Sequence, residues 1–171
     1  MEKDISLLKE TSLFENLIEE KIKKVLSICR KVSFSENTVI MREGEVGDTM
    51  YVILEGAVEV VKTLVLEGMD LDEDEKIRNK VFTKLTAEIH PVFGEISLLE
   101  ESKRTATIKA LTNCTFYEIK KDDFLRLAEE DCGLGYQIVL NIARVVCSRL
   151  RKADEDVIKL STVLSIVLKE S

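Results

Sequence analysis

Apolar and polar positions alternate with more than one period along this chain, and the places where the period changes divide it into elements. Leu17, Ile18, Ile22, Val25, Leu26 and Cys29 recur at helical spacing, with Thr11 or Ser12 as the cap residue of that opening segment. From about Lys31 the pattern becomes short apolar runs such as "KVSFS", "TVIMR", "TMYVIL", "AVEVVKTLVL" and "CTFYEIK", separated by the glycine turns "EGEVGD" and "EG". Runs of that length, rich in β-branched residues, predict an all-β barrel or roll. After Lys120 the helical period returns, first in "KDDFLRLAEED", a short helix expected to stop near Gly133 and Gly135, then in a long helix from about Tyr136 almost to the end.

Within that long helix Leu150, Ala153, Val157, Leu160, Leu164 and Val167 are separated by three, four, three, four and three residues. This is a heptad seam with its a and d positions filled. About thirty helical residues extend roughly 45 Å, farther than a small domain is wide, so the second half has nothing of its own to pack on. A parallel homodimer through this helix is the expectation, and an antiparallel return onto its own domain is the alternative. The resulting division is 1–133, a β-roll domain with N-terminal helices, and 134–171, a long C-terminal helix serving as hinge, lid and dimer contact.

Composition narrows the function classes. The chain has 171 residues, 33% charged and 45% hydrophobic, which fits one soluble domain plus an extension. No apolar run approaches a bilayer span, and "MEKDISLLKE" lacks the apolar core of a secretory signal, so a cytoplasmic location is expected. A net charge of −7 disfavours broad nucleic-acid binding. Cys29, Cys114, Cys132 and Cys147 lie far apart and read as reduced thiols. His90 is the sole histidine, which excludes a metal site built from several imidazoles. Between Glu67 and Lys80, five acids fall among the six residues Asp70 to Glu75; the glycine and terminal glutamate of an EF-hand are misplaced, so this reads as a solvated insertion between strands. With no nucleophile–base pair, second carboxylate or metal cluster, the chain is not expected to be an enzyme.

The stretch "FGEISLLEESKRTATIKA", Phe93 to Ala110, carries the one unusual feature. Ala106, Ile108 and Ala110 share one parity and Thr105, Thr107 and Lys109 the other, and extending the row backwards places Arg104 on the apolar side. A guanidinium turned inward costs several kcal/mol, on the order of the penalty for an unpaired buried charge, unless an anion meets it. That anion is either an internal carboxylate, Glu95 being the obvious one, or a bound ligand. Gly94 permits close backbone approach, and Glu95 to Leu99 reads as one helical turn whose free N–H groups suit a phosphate.

"FGEISLLEESKRTAT" resembles the phosphate-binding cassette of the cyclic nucleotide-binding domain family, and "EGEVGDTMYVILEGAVEV" resembles that family's β-roll segment. The resemblance covers nearly the whole chain, places it near the catabolite activator type of sensor, and implies a double-stranded β-helix, or jelly-roll-like β-roll, with N-terminal helices and a long C-terminal dimerisation helix. It implies a cAMP or cGMP ligand, no cofactor, and a site formed by Phe93, Gly94, Glu95, Ile96, Ser97, Arg104, Thr105, Ala153 and Asp154. In it Arg104 pairs with the cyclic phosphate, Gly94 and its neighbours offer backbone donors, Glu95 accepts from the ribose 2′-hydroxyl, Thr105 reaches a phosphate oxygen or the base edge, and Ala153 and Asp154 meet the purine. The implied function is a cyclic nucleotide sensor that couples ligand binding to rearrangement of the long helix. The alternatives are a degenerate dimerisation module that binds no nucleotide and an anion sensor for another small molecule; intact Gly94, Glu95, Arg104 and Thr105 argue against both. No helix-turn-helix module is read here, so DNA binding is not expected, and the output partner is unspecified. His90-Pro91 stands where the family usually has a glycine-rich turn, and the acidic insertion is longer than the usual hairpin.

Overall fold

A computed structural model of the chain describes residues 2–65, 77–87 and 92–169. Helix α1 (Glu2–Lys9), a 3-10 turn (Ser12–Phe14) and α2 (Glu19–Ile28) lead into β1 (Arg30–Phe34), β2 (Val39–Met41), β3 (Thr49–Glu55), β4 (Ala57–Val65), β5 (Ile77–Thr86) and β6 (Val92–Phe93). A short α3 (Ile96–Leu99), β7 (Thr107–Ala110), β8 (Cys114–Lys120), α4 (Lys121–Glu130) and the long α5 (Cys132–Lys169) follow. The described strands form two antiparallel four-stranded sheets, ordered β1-β8-β3-β6 and β2-β7-β4-β5. This is the β-roll with flanking helices that the pattern of short runs predicts.

Strand β3 explains the layering. Its sequence is a continuous apolar run because both faces are covered: Met50, Val52 and Leu54 turn toward the helices, while Tyr51 and Ile53 turn into the roll. The helical side joins Leu8, Phe14, Ile22, Val25 and Phe124 with Leu134, Ile138 and Ile142 of α5. Inside the roll, Phe93 packs edge-on against Phe116 at 5.5 Å between ring centres and stacks on Tyr51 at 5.2 Å.

Several boundaries differ from the sequence expectation. Neither Thr11 nor Ser12 caps through its side chain; the Thr11 hydroxyl donates back to Leu7 O at 3.5 Å, and the N-cap of α2 is Ile18. Glycines do not end α4. The break falls at Asp131, at φ −134° and ψ 81°, and α5 begins at Cys132 with Gly133 and Gly135 inside it. Asp131 itself starts the new helix, accepting from the Leu134 N–H on both its carboxylate (3.0 Å) and its carbonyl (2.9 Å). Gly135 is there for packing, since a Cβ on it would come 2.6 Å from that of Ala128. Strand β7 is shorter than the alternation suggests because the Arg104 backbone pairs elsewhere, its N–H with Glu45 O at 2.7 Å and its carbonyl with the Gly44 N–H at 2.9 Å. The last four residues of the acidic segment, 77–80, belong to β5; its first ten, together with His90 and Pro91, lie outside the described residues.

The 38 residues of α5 amount to roughly 57 Å. Its first half is fastened down: buried Asn141 donates to Leu13 O at 2.9 Å and Glu15 O at 2.8 Å. Farther along the helix, Leu150, Ala153, Val157, Leu160, Leu164 and Val167 are all exposed. The described part of α5 does not fold back on the roll. Among the described residues no helix is long and apolar enough to cross a membrane.

Candidate functional site

A cavity of about 440 Å³ opens between the β2-β7-β4-β5 sheet, the turn around α3 and the middle of α5. Its apolar wall comes from Met41, Val60, Leu85, Phe93 and Ile108, and its floor from Gly94 to Ser97 with Arg104 and Thr105.

Arg104 is 8% exposed, on the buried parity of Ala106, Ile108 and Ala110. Its Nη1 donates to Thr49 O at 2.8 Å and to Ser97 Oγ at 2.9 Å, and its Nη2 to Thr49 Oγ1 at 2.8 Å. All three acceptors are neutral, and among the described residues no carboxylate comes within ion-pair distance of it. Burial pulls the guanidinium below its ordinary pKa, and the surrounding negative groups only partly oppose this; an arginine remains charged all the same.

Two glycines shape its berth. Gly94 adopts φ +75°, and a Cβ there would lie 2.7 Å from Thr49 O and 2.8 Å from Arg104 Nη1. Gly47, in the turn before β3, would carry a Cβ 2.0 Å from Arg104 Nε. Thr49 and Gly47, both within the quoted segment "EGEVGDTMYVILEGAVEV", complete the arginine's surroundings, although nothing in that segment's own pattern ties them to Arg104.

Glu95 is 3% exposed, yet it does not meet Arg104. Its Oε1 accepts from Arg149 Nη1 of α5 at 2.6 Å, while Arg149 Nη2 donates to Val92 O at 2.5 Å. The long helix is thus pinned over the cavity by the carboxylate of the cassette. Arg149, Lys152, Ala153 and Asp156 roof the cavity from α5, one helical face at i, i+3, i+4 and i+7. Asp154 does not line it, because it lies one residue, about 100°, farther round the helix than Ala153; Asp156 supplies the carboxylate on that face. The same spacing, counted outward from Ala153, is the signal that finds Arg149.

Of the other expected site residues, Phe93, Gly94, Glu95, Ile96, Ser97, Arg104, Thr105 and Ala153 all line the cavity. Ser97 is committed to the arginine through its hydroxyl, and its N–H is taken by Gly94 O at 3.2 Å. Thr105 is exposed, with its backbone adjoining the arginine. Around this space stand five cationic residues, Lys62, Lys103, Arg104, Arg149 and Lys152, against two carboxylates, Glu95 and Asp156. In a chain of net charge −7, that concentrates positive potential where an anionic group would enter.

Residues 31–131 match the family model described as the cyclic nucleotide-binding domain. The chain is 30% identical over 135 residues to cGMP-dependent protein kinase isozyme 1 of Drosophila melanogaster, covering 78% of this chain and 16% of the kinase. It is 26% identical over 149 residues to the cyclic AMP receptor protein of Thermus thermophilus, covering 86% of this chain and 61% of the receptor. Among solved structures, a cyclic nucleotide-binding domain from Methylobacillus flagellatus superposes with a TM-score of 0.74 at 20% identity, over 92% of this chain and 82% of that one. The chain therefore spans a small part of the kinase and less than two thirds of the receptor. With its family motif, its two-sheet roll and its long terminal helix in agreement, the chain belongs to the cyclic nucleotide-binding domain family.

Proposed function

We propose that the chain is a sensor of a cyclic purine nucleotide, cAMP or cGMP, and that it regulates rather than catalyses. The observation that carries this reading is the buried Arg104, held among the described residues by neutral acceptors alone on the floor of a cationic cavity. Three of its five N–H donors are used for positioning, leaving two for the cyclic phosphate in a charge-assisted pair. The cavity volume falls within the ordinary range for small-ligand sites, and its apolar wall suits the flat base.

Glu95 would accept from the ribose 2′-hydroxyl, with Arg149 as its present partner orienting the carboxylate. The roof residues of α5 then meet the ligand, Ala153 by contact and Lys152 and Asp156 by charge. A nucleotide that takes up Glu95 alters what pins α5, and this would couple the site to the second half of that helix. Such coupling requires the ligand to bind one arrangement of the helix more tightly than the other. Residues 1–133 would act as the binding unit and 134–171 as hinge, lid and contact for a second copy in a cytoplasmic homodimer.

Thermal unfolding with cAMP, cGMP and inorganic phosphate tests the reading. A cyclic nucleotide at about 100 times its dissociation constant should add roughly 2.7 kcal/mol of stability, with phosphate adding far less. Competition between the two nucleotides then identifies the preferred base. If neither shifts the transition at millimolar concentration, the chain is instead a dimerisation module without a ligand, a reading favoured by the three hydrogen bonds that Arg104 already makes within the protein.

A further inference from the structure

The second half of α5 carries charge in a pattern that selects one partner. Taking Leu150, Val157 and Leu164 as a positions and Ala153, Leu160 and Val167 as d positions, the g positions are Arg149, Asp156 and Val163, and the e positions are Asp154, Ser161 and Leu168. In a parallel two-stranded coil each g residue faces the e residue five positions later on the other helix. Arg149 then faces Asp154, Asp156 faces Ser161, and Val163 faces Leu168: charge meets opposite charge, polar meets polar and apolar meets apolar. An antiparallel pair sets g beside g and e beside e, which separates Arg149 from Asp154 altogether.

The structure leaves both ends of this contact free to form. The seam is exposed, Leu150 by 60%, Val157 by 61% and Leu160 by 67%. Asp154 points away from the cavity and is exposed, and the Arg149 side chain is 46% exposed even while it holds Glu95. Two of the five Arg149 N–H donors are spent, on Glu95 and Val92 O, so one edge of the guanidinium is available.

We infer that Asp154 of the partner subunit ion-pairs with Arg149 in a parallel, in-register dimer, so that each subunit supplies a second carboxylate to the arginine that pins Glu95. This rests on the homodimer proposed above and assigns Asp154 a place in the site that its own cavity does not give it. The partner subunit's Asp154 restrains Arg149 at the cavity mouth, which makes the state of the Glu95–Arg149 pair depend on assembly.

The test uses the full chain without nucleotide, so it stands whether or not the chain binds one. In a background with Cys132 and Cys147 replaced by serine, Leu160→Cys is expected to cross-link to itself under mild oxidation, because a d position meets its own copy only in a parallel in-register pair. By sedimentation equilibrium, Asp154→Asn should weaken the dimer by about 2- to 30-fold, the range for two symmetry-related exposed ion pairs. Asp154→Lys should weaken it further. Glu155→Gln, an equal charge change on the outward f position, should leave it unchanged. A monomer at about 100 µM (on the scale where a helix-seam dimer would assemble), a dimer in which the Leu160→Cys variant does not cross-link, or a dimer constant indifferent to Asp154→Asn each overturns the inference.

Discussion

Arg104 sits in a berth whose dimensions are set by hydrogen. Gly47 and Gly94 each leave out a methyl group where the guanidinium passes, and Thr49 and Ser97 hold it by three bonds of 2.8 to 2.9 Å. Gly47→Ala is expected to displace the arginine, costing about 1–3 kcal/mol of stability as an overpacked site and weakening cyclic nucleotide binding with it; denaturant titration and calorimetry check the two effects separately. Arg104→Ala should cost roughly 2–5 kcal/mol of nucleotide binding, the range for removing one side of a desolvated charge pair. Arg104→Lys should recover only part of that, because an ammonium keeps the charge but not the fork that reaches both Thr49 and a phosphate. Unaltered affinity in Arg104→Ala would contradict the proposed function. The parity of the Arg104 row was legible in the sequence because side-chain alternation is a local property of extended backbone. The berth was not, because Gly47 and Thr49 reach it from a distant part of the chain, the turn before β3 and the first residue of that strand.

At the scale of elements, α5 has two parts: a base anchored to the body that continues as far as Asp156 over the cavity, and exposed turns beyond it. Besides the Arg149 bonds to Glu95 and Val92 O, Asn141 and Asp131 fasten the anchor. Asn141 closes the carbonyls of Leu13 and Glu15, the latter shared with Gln137 Nε2 at 3.4 Å, so Asn141→Leu takes the donor from the buried Leu13 carbonyl and is expected to lower stability by about 1–3 kcal/mol, as measured by chemical unfolding. Asp131 caps the helix and also pairs with Lys24 at 2.8 Å and Lys21 at 3.3 Å from α2. The Lys24 contact, the Leu134 N–H and Lys21 together hold its carboxyl at about 2, below the ordinary 3.8. A carboxyl depressed on folding stabilises the protein above its unfolded pKa and stops doing so as pH falls through the folded one. Asp131→Asn, which keeps the capping geometry, is therefore expected to melt below the parent at pH 7. The gap should close as pH falls from about 4 to about 2, and a gap that persists unchanged at pH 2 would deny the charge its role. The helical period announced α4 and α5, but the break between them was misplaced. Gly133 and Gly135 resemble stop signals in isolation, whereas here Asp131 breaks the chain and Gly135 only lets α5 press against Ala128.

For the whole molecule, the distribution of charge matters more than its sum. A chain of net −7 gathers five cations around one cavity, and a cyclic nucleotide approaching it would be drawn by the local field and opposed by the distant one. Association rates measured by stopped flow should fall as salt is raised toward a Debye length of roughly 8 Å at physiological ionic strength, with dissociation changing less; a salt-independent association rate would show that the cationic rim does not steer. The sequence by itself determined the order of helices and strands, the inward face of Arg104 and the heptad seam, since each follows from a period that neighbouring residues impose on one another. Only the tertiary structure decided that Glu95 meets Arg149, 54 residues away, that Arg104 has no carboxylate among the described residues, and that Asp156 faces the cavity while Asp154 faces outward. Periodicity specifies which face of an element is buried, but not the translation and rotation at which two distant elements dock, and that docking selects the partner of every charge in the site.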